Sequence, residues 1–325
     1  MSEFRQDPMS RRWVIIGGER NGRPNEFVEA ATRATGISCP FCSGHESETP
    51  PAIASYSSNG KGHWLARVVP NKYPALSAAA NGNGKASPSS LPGFGSHEVI
   101  IESPRHVASL SELTDPEAKA VFNAYRDRLT QLKSQRLYRY VQIFKNVGPA
   151  AGASLEHVHS QLLALTTVPE ALQQELAASG DYFSEHKRSL LLDMLEREVA
   201  AADRIVVATQ NFVAFCPYAS RFGYEVWIAP RRHQSRYEDV KDSELGELSL
   251  LVRETIGRIE RAAGQVAYNY FLHTQPFDMP AYDHYHWHIE IIPRLTKVAG
   301  FEWSTGCFIN PYSPESAASH LRSVA

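Results

Sequence analysis

One stretch, Asn146 to Gln161, constrains this chain more than any other: N-V-G-P-A-A-G-A-S-L-E-H-V-H-S-Q. A glycine-rich loop runs into two histidines, and a glutamine stands where a third would continue the alternation. In a strand, residues i, i+2 and i+4 share one face, so His157, His159 and Gln161 are expected to project together toward whatever the loop holds. The apolar run L-L-A-L follows, which puts the polar triplet at the rim of an otherwise buried segment, where ligands bind. The competing reading is an ordinary strand with two hydrogen-bonded histidines. The loop before them and a pair of upstream cysteines weigh against it.

The whole chain narrows the class of partner. Its 325 residues allow one large or two ordinary domains, and 33 basic against 35 acidic side chains leave a net charge of −2. No basic surface advertises nucleic acid or an anionic membrane, so a small-molecule partner is expected. No run of 18 apolar residues occurs, and the start M-S-E-F-R-Q-D lacks the apolar core of a signal peptide. A soluble, cytoplasmic protein is the resulting expectation.

Of the four cysteines, Cys39 and Cys42 are spaced C-x-x-C, while Cys216 and Cys307 stand alone. A redox pair of the thioredoxin type opens a helix after a strand, but here a loop rich in Glu and Pro follows, which favours zinc. Two thiolates make half of a tetrahedral site, so two more ligands, most simply imidazoles, must come from elsewhere in the chain. Upstream, the strand candidate W-V-I-I leads to a turn carrying Arg20 and Arg23, where arginines are either solvated or hold phosphate.

The order of elements repeats. R-V-V-P-N-K-Y followed by S-H-E-V-I-I-E-S-P-R-H, ending at His106, is echoed by F-V-A-F-C-P-Y followed by G-Y-E-V-W-I-A-P-R-R-H, ending at His233. The capped start Thr114-Asp115-Pro116-Glu117 and helical apolar spacing predict a helix from Asp115 to Arg136, and its counterpart runs from about Asp242 to Ala263. Each helix leads to a strand and then to a histidine cluster, H-V-H-S-Q or H-Y-H-W-H (His284, His286, His288). The intervals agree, 51 residues from His106 to His157 and 53 from His233 to His286. An internal duplication of about 130 residues follows, too long for a solenoid period. Between the copies, Glu170 to Ala202 reads as mostly helical with a break near Ser179-Gly180, and 81–92 as a polar surface loop.

Only the first cluster follows a loop whose backbone could approach a phosphate closely, so it is the expected reactive centre. The second reads as a metal cluster, a decayed copy, or a histidine-rich edge packed on Tyr282, Tyr285 and Trp287.

Through nearly its whole length the chain resembles the galactose-1-phosphate uridylyltransferase family of the histidine-triad superfamily. The family motif H-P-H-x-Q reads H-V-H-S-Q here, with Val158 for the usual proline and Glu156 where another proline is common. The resemblance implies zinc on Cys39, Cys42, His106 and His157, a nucleophile at His159, and a phosphate-orienting glutamine at Gln161. It implies nucleotide contacts at Arg20, Arg23, Asn71, Asn146, Gly152 and Ser154, and a second, structural metal, zinc or iron, on Glu175, His273, His286 and His288. It further implies an α+β, histidine-triad-like fold of two duplicated halves, each a mostly antiparallel sheet flanked by helices. The halves are expected at 1–168, with the zinc site and reactive histidine, and 169–325, with the second histidine cluster. A homodimer is implied as well, with Arg20 and Arg23 serving the neighbouring subunit's site.

The implied chemistry is a ping-pong nucleotidyl transfer. A neutral imidazole is a good nucleophile at pH 7, and a phosphoramidate on histidine is labile enough for a second acceptor to attack. Gln161 can donate a hydrogen bond to a phosphoryl oxygen but cannot protonate a leaving group, which favours transfer between phosphates over the hydrolysis done by triad hydrolases. A zinc ion closed by four protein ligands has no open position and is structural. The expected activity is UDP-glucose:hexose-1-phosphate uridylyl transfer. The alternative is ADP-glucose phosphorylase, because A-G-F-E-W-S-T-G-C-F-I-N-P at Ala299 to Pro311 resembles that branch and puts Phe301 where galactose-1-phosphate enzymes carry lysine. A zinc-stabilised nucleotide sensor without turnover is the reading from another class. Partners are thus a nucleotide-sugar and a sugar 1-phosphate or phosphate.

Overall fold

The computed structural model describes residues 2–17, 38–57, 63–77 and 90–325. Arg20 and Arg23 lie outside the described residues. In chain order the elements are β1 (Glu3–Gln6), β2 (Trp13–Ile16), β3 (Ala54–Ser57), β4 (Trp64–Pro70), β5 (Gly95–Ile101), α1 (Asp115–Ser134), β6 (Tyr140–Val147), β7 (His159–Leu165), α2 (Glu170–His186) and α3 (Leu190–Ala201). The second half contributes β8 (Ile205–Ala208), β9 (Phe212–Phe215), β10 (Val226–Pro230), α4 (Asp242–Ala263), β11 (Tyr268–His273), β12 (His288–Pro293), α5 (Gly300–Thr305), β13 (Phe308–Asn310) and α6 (Pro314–Ser323).

Among the described residues, ten strands form one antiparallel sheet in the order β3-β4-β5-β7-β6-β11-β12-β10-β9-β8. Read outward from the centre, β6, β7, β5, β4, β3 match β11, β12, β10, β9, β8 one for one, which is the duplication written as topology. Each half contributes five of these strands, as the α+β expectation of an antiparallel sheet for each half requires. The halves join into a single sheet where β6 pairs with β11, from Ile143↔Leu272 to Val147↔Tyr268. Left apart, each half would present an unpaired edge of N–H and C=O groups at that strand, and pairing them removes both edges. A second sheet, β1-β2-β13, ties the two ends of the chain together, with β13 parallel to β2.

Both long helices lie on one face of the large sheet and against each other. α1 starts at a capping box, with Thr114 Oγ1 accepting from the Glu117 N–H while Glu117 accepts from the Thr114 N–H at 2.7 Å. Its Val121, Tyr125, Leu129 and Leu132 fall at helical spacing and are buried with Leu245, Leu248, Val252 and Ile256 of α4. Strand residues Ile100, Ile143, Leu162, Tyr270 and Ile289 meet that layer. Their neighbours in sequence turn to the opposite face, where His159, Gln161, Asn146, Asn269, His273 and His288 gather.

The expected break near Ser179-Gly180 lies elsewhere. α2 runs through both residues, since a glycine leaves the hydrogen-bond ladder intact and Gly180 has no heavy atom within 4 Å of a Cβ placed on it. The stop comes at Lys187, left-handed at φ 56°, whose N–H donates to Phe183 O at 2.8 Å.

One buried ion pair fastens α1 to the sheet. Arg128 donates from Nε and Nη2 to the two oxygens of Glu98 on β5, at 2.8 and 2.6 Å. A two-pronged pair of this kind is costly to break because the surviving charge stays out of water. Arg128→Met is therefore expected to lower the free energy of unfolding in urea by about 3–5 kcal/mol. A loss below about 1 kcal/mol would mean that solvent reaches Glu98 readily.

Candidate active site

Four side chains from three distant segments converge beside the start of β7. Cys39 and Cys42 share a tight turn closed by Cys42 N–H to Cys39 O, and Ser43 N–H donates to Pro104 O at 2.9 Å, pinning the turn to the loop that carries His106. Cys39 Sγ lies 3.5 Å from His157 Nδ1, Cys42 Sγ lies 3.6 Å from it, and Cys42 Sγ lies 3.5 Å from His106 Nδ1. A tetrahedral zinc with bonds of about 2.3 Å to sulfur and about 2.0 Å to nitrogen would separate such donors by about 3.5 Å. All four ligand atoms lie within 4.8 Å of one another, and the set fits a tetrahedral divalent ion. Burial and the neighbouring Cys39 push the Cys42 thiol up to about 11, a penalty that a bound cation reverses.

His157 and His159 part company at this point. His157 precedes the strand, donates from Nε2 to Ser103 O at 2.9 Å, and turns Nδ1 to the thiols. His159 opens β7 and donates from Nδ1 to His157 O at 2.7 Å, which leaves its lone pair on Nε2. Burial holds the His159 pKa below the ordinary histidine value, so the ring is neutral at pH 7. Phe41, inside the cysteine turn, presents its ring to both histidines, 5.9 Å from His157 and 5.4 Å from His159 between centroids. Beneath the strand, on the helix side, Lys145 Nζ donates to His159 O at 3.0 Å and to Glu102 at 2.5 Å, with both side chains fully buried. Tyr125 of α1 donates to Glu102 and stands 2.9 Å from Ser160 Oγ.

The loop before the histidines is a short turn, Pro149–Ala151, between two left-handed glycines, Gly148 at φ 78° and Gly152 at φ 84°. Gly148 is required twice over, because a Cβ there would come within 2.8 Å of Ala267 Cβ. Gly152 and Ser154 are exposed on this loop. Asn146 enters it from β6, and its Oδ1 accepts from Asn269 Nδ2 at 2.8 Å. Asn71 and Gln161 come together through His97, whose Nε2 is 3.1 Å from Asn71 Nδ2 and 2.9 Å from Gln161 Oε1. The structure thus brings together Cys39, Cys42, His106 and His157, with His159, Gln161, Asn71, Asn146 and Gly152 around them.

The second cluster sits at the equivalent place in the other half, with one change of membership. Glu175, His273, His288 and Glu290 gather their ligand atoms within 4.8 Å of one another. His286 is not in that group: it lies before β12, donates from Nε2 to Pro230 O at 2.8 Å and accepts on Nδ1 from Gln234 N–H, so both nitrogens are already used. Glu290 takes its place, with Oε1 3.5 Å from His288 Nε2 and its other oxygen bound to Arg221. Burial lowers the His273 pKa but Glu175 outweighs it, raising the group to about 9. His288 Nε2 is buried without a hydrogen-bond partner among the described residues, as befits an atom kept for a cation. Trp227 stacks on the His288 ring at 5.0 Å, covering the position that corresponds to His159.

Reading from the sequence missed His97, Asn269 and Glu290. The only signal for the first was its place two residues before the apolar run V-I-I, and for the last the carboxylate inside H-I-E-I-I. No described helix is long and apolar enough to cross a membrane.

Comparison with known proteins agrees with this geometry. The sequence pattern of the galactose-1-phosphate uridyl transferase N-terminal domain matches residues 3–169, and a domain of unknown function, DUF4921, matches residues 92–323. ADP-glucose phosphorylase of Arabidopsis thaliana is 33% identical over 99% of this chain and 93% of its own length. The galactose-1-phosphate uridylyltransferase of Thermotoga maritima is 27% identical over 99% of this chain and 98% of its own. The crystal structure of an Arabidopsis thaliana ADP-glucose phosphorylase with bound ADP-glucose superposes with a TM-score of 0.88 at 34% identity, covering 100% of both chains. With a pattern match across the cysteine turn and the H-V-H-S-Q centre, and full-length likeness to both enzymes, the chain belongs to the galactose-1-phosphate uridyl transferase family.

Proposed function

We propose that the chain is a nucleotidyltransferase that carries a nucleotidyl group on His159. One observation carries this reading: a neutral imidazole with its Nδ1 proton given to His157 O, beside a glycine loop and the amide of Gln161. Nε2 attacks the α-phosphorus of a nucleoside diphosphate hexose, the N–P bond forms, and the bond to the bridging oxygen breaks. Hexose 1-phosphate leaves as a phosphate, which needs no proton, so an amide at Gln161 suffices where a hydrolase would need an acid. A phosphate oxygen of the second substrate then attacks the same phosphorus and frees the imidazole.

The main reading of specificity is UDP-glucose as donor and a hexose 1-phosphate, galactose 1-phosphate, as acceptor. A second reading, ADP-glucose phosphorylase, is favoured by α5, where Phe301 is 43% exposed and stands in the place of the expected lysine. The higher identity of the plant relative supports it too. For the assembly we extend the proposal to a cytoplasmic homodimer in which Arg20 and Arg23 reach the neighbouring subunit's nucleotide, alongside Asn71, Asn146, Gly152 and Ser154.

Cys39, Cys42, His106 and His157 would hold zinc, which supplies rigidity beside His159 and takes no step in the transfer. Glu175, His273, His288 and Glu290 would hold a second ion, zinc or iron. Metal analysis of Cys39→Ser or His106→Ala is expected to show one equivalent fewer than the parent, with a lower melting temperature; full occupancy in either variant would remove that residue from the ligand set. Glu175→Ala is expected to lose a second equivalent, and His286→Ala to keep it.

The decisive assay crosses UDP-glucose or ADP-glucose with galactose 1-phosphate or inorganic phosphate and follows the released sugar phosphate. Turnover of the UDP-glucose and galactose 1-phosphate pair establishes the uridylyltransferase, and turnover of ADP-glucose with phosphate alone establishes the phosphorylase. His159→Asn is expected to abolish both turnover and the labelled protein formed from radioactive donor. A label that persists in His159→Asn, or rapid release of free nucleotide without acceptor, would overturn the mechanism.

A further inference from the structure

Two side-chain amides of the reactive face, those of Asn146 and Gln161, can each offer a ligand either the oxygen or the NH2. Which end it offers is settled behind it, in each case by a group that can only donate. Ala75 N–H donates to His97 Nδ1 at 3.1 Å, so the lone pair lies on Nδ1 and the proton on Nε2, which gives it to Gln161 Oε1 at 2.9 Å. Arg294 donates from Nε to Asn269 Oδ1, which leaves the Asn269 NH2 to donate to Asn146 Oδ1 at 2.8 Å and to Ala151 O at 2.9 Å. Tyr73 N–H donates to Asn71 Oδ1 at 2.8 Å. Asn71 Nδ2 itself lies 3.1 Å from His97 Nε2, so that NH2 is turned toward the ring; the oxygens of Gln161 and Asn146 are consumed from within, and their two NH2 groups are left for the site.

We infer that His97 and the Arg294–Asn269 pair are positioning residues that fix the polarity of Gln161 and Asn146, so that the site presents amide donors, and no amide acceptor, to the phosphates of its substrate. The inference rests on the nucleotidyl-transfer reading and adds the residues that make Gln161 a donor. The logic is one of pairing. An unoriented amide would turn its oxygen to a phosphoryl oxygen for part of the time, and two acceptors face to face repel. With the amide held in place, no reorganisation is needed as charge develops on the phosphoryl group, which is where a fixed donor contributes most. A neutral relay that starts at a backbone N–H also polarises each bond after it.

His97→Phe keeps the ring and removes the donor; Asn269→Asp keeps the shape and the contact with Arg294 but replaces the NH2 with an acceptor. The burst of glucose 1-phosphate from UDP-glucose or ADP-glucose, whichever the parent uses, is expected to slow by about ten- to a hundred-fold in His97→Phe, less than the about hundred- to thousand-fold loss of a deleted oxyanion donor because Gln161 stays in place unoriented. Donor affinity, measured on the His159→Asn background, is expected to change little. His97→Gln, whose amide can again donate to Gln161, is expected to recover part of the rate. In Gln161→Ala, adding His97→Phe should cost nothing further, because the donor it orients is gone. Asn269→Asp should instead weaken donor binding by at least about ten-fold, since Asn146 must turn its NH2 inward. Additive losses from His97→Phe and Gln161→Ala would reduce His97 to a packing residue and overturn the inference. A second readout does not depend on activity: long-range proton–nitrogen correlation of the His97 ring is expected to show a bare Nδ1 and a protonated Nε2. The opposite tautomer would overturn the relay even in an active enzyme, whereas the expected tautomer in a protein that forms no nucleotidyl adduct would sink the transfer reading and leave the relay standing.

Discussion

The hydrogen bond from His159 Nδ1 to the carbonyl of His157 is the constraint on which the rest depends. It selects the tautomer, and with it leaves the lone pair on Nε2, the nitrogen that the proposed transfer needs. A side chain bound to a carbonyl two residues earlier is only as well placed as the backbone between them, and much of the surrounding structure serves to hold that backbone. Val158 N–H donates to Val107 O, and Val158 O accepts from Glu102 N–H. His157 is fastened at both ring nitrogens, to Ser103 O and to the cysteine cluster. From the helix side Lys145 takes the His159 carbonyl. A metal held by Cys39, Cys42, His106 and His157 would therefore matter without touching a substrate: it would remove freedom from the residue whose carbonyl orients the His159 ring.

The duplicated half shows what the same scaffold becomes when those constraints are spent differently. His286 repeats the Nε2 contact of His157 through Pro230 O, yet its Nδ1 meets a backbone N–H where His157 meets thiols. His288 occupies the place of His159 but lies under Trp227 and faces Glu175, Glu290 and His273. One copy kept a glycine loop and an accessible face; the other filled that face with charge and covered it. Joining the halves through β6 and β11 then gives the active copy something it cannot make alone, because Asn269, which orients Asn146, comes from the second half.

The features readable from sequence were those written in local periodicity. The alternation of His159 and Gln161, the capping box of α1, and the motifs whose recurrence reveals the duplication each lie within short windows, and local geometry acts on the same scale; His157, expected on the same face, precedes β7 and turns to the cysteines instead. What escaped reading lies in pairings across the sheet. His97 is one residue in an alternating strand, and its meaning comes from Ala75 on one side and Gln161 on the other. His286 entered the second ligand set through the family resemblance, and nothing in the sequence shows that β12 begins only at His288, which leaves His286 outside the strand and brings Glu290 onto the face of His288. The break assigned to Gly180 failed for a related reason. Glycine permits a helix to end without requiring it, and the actual end is set by a left-handed lysine that no propensity singles out.

The replacement of Gln161 by Glu290 between the copies sets the two faces apart toward a phosphate ligand. Both residues lie two positions after the histidine that opens their strand, and they differ by one charge. A carboxylate about 4 Å from a phosphoryl oxygen would repel it by about 4 kcal/mol at the effective dielectric of a partly buried site. An amide donor at hydrogen-bond distance from the same oxygen contributes about 1.5–3 kcal/mol in the opposite direction. The swing of about 6 kcal/mol is roughly four powers of ten in affinity or rate, larger than loop shape or base contacts could restore. That swing has a condition. An amide whose oxygen swung toward the phosphate would recover part of the repulsion without carrying any formal charge, so substituting glutamine for glutamate gains its full effect only when something behind it holds the oxygen. In this fold that something is the ring of His97, whose proton is placed by a backbone N–H that cannot do anything but donate.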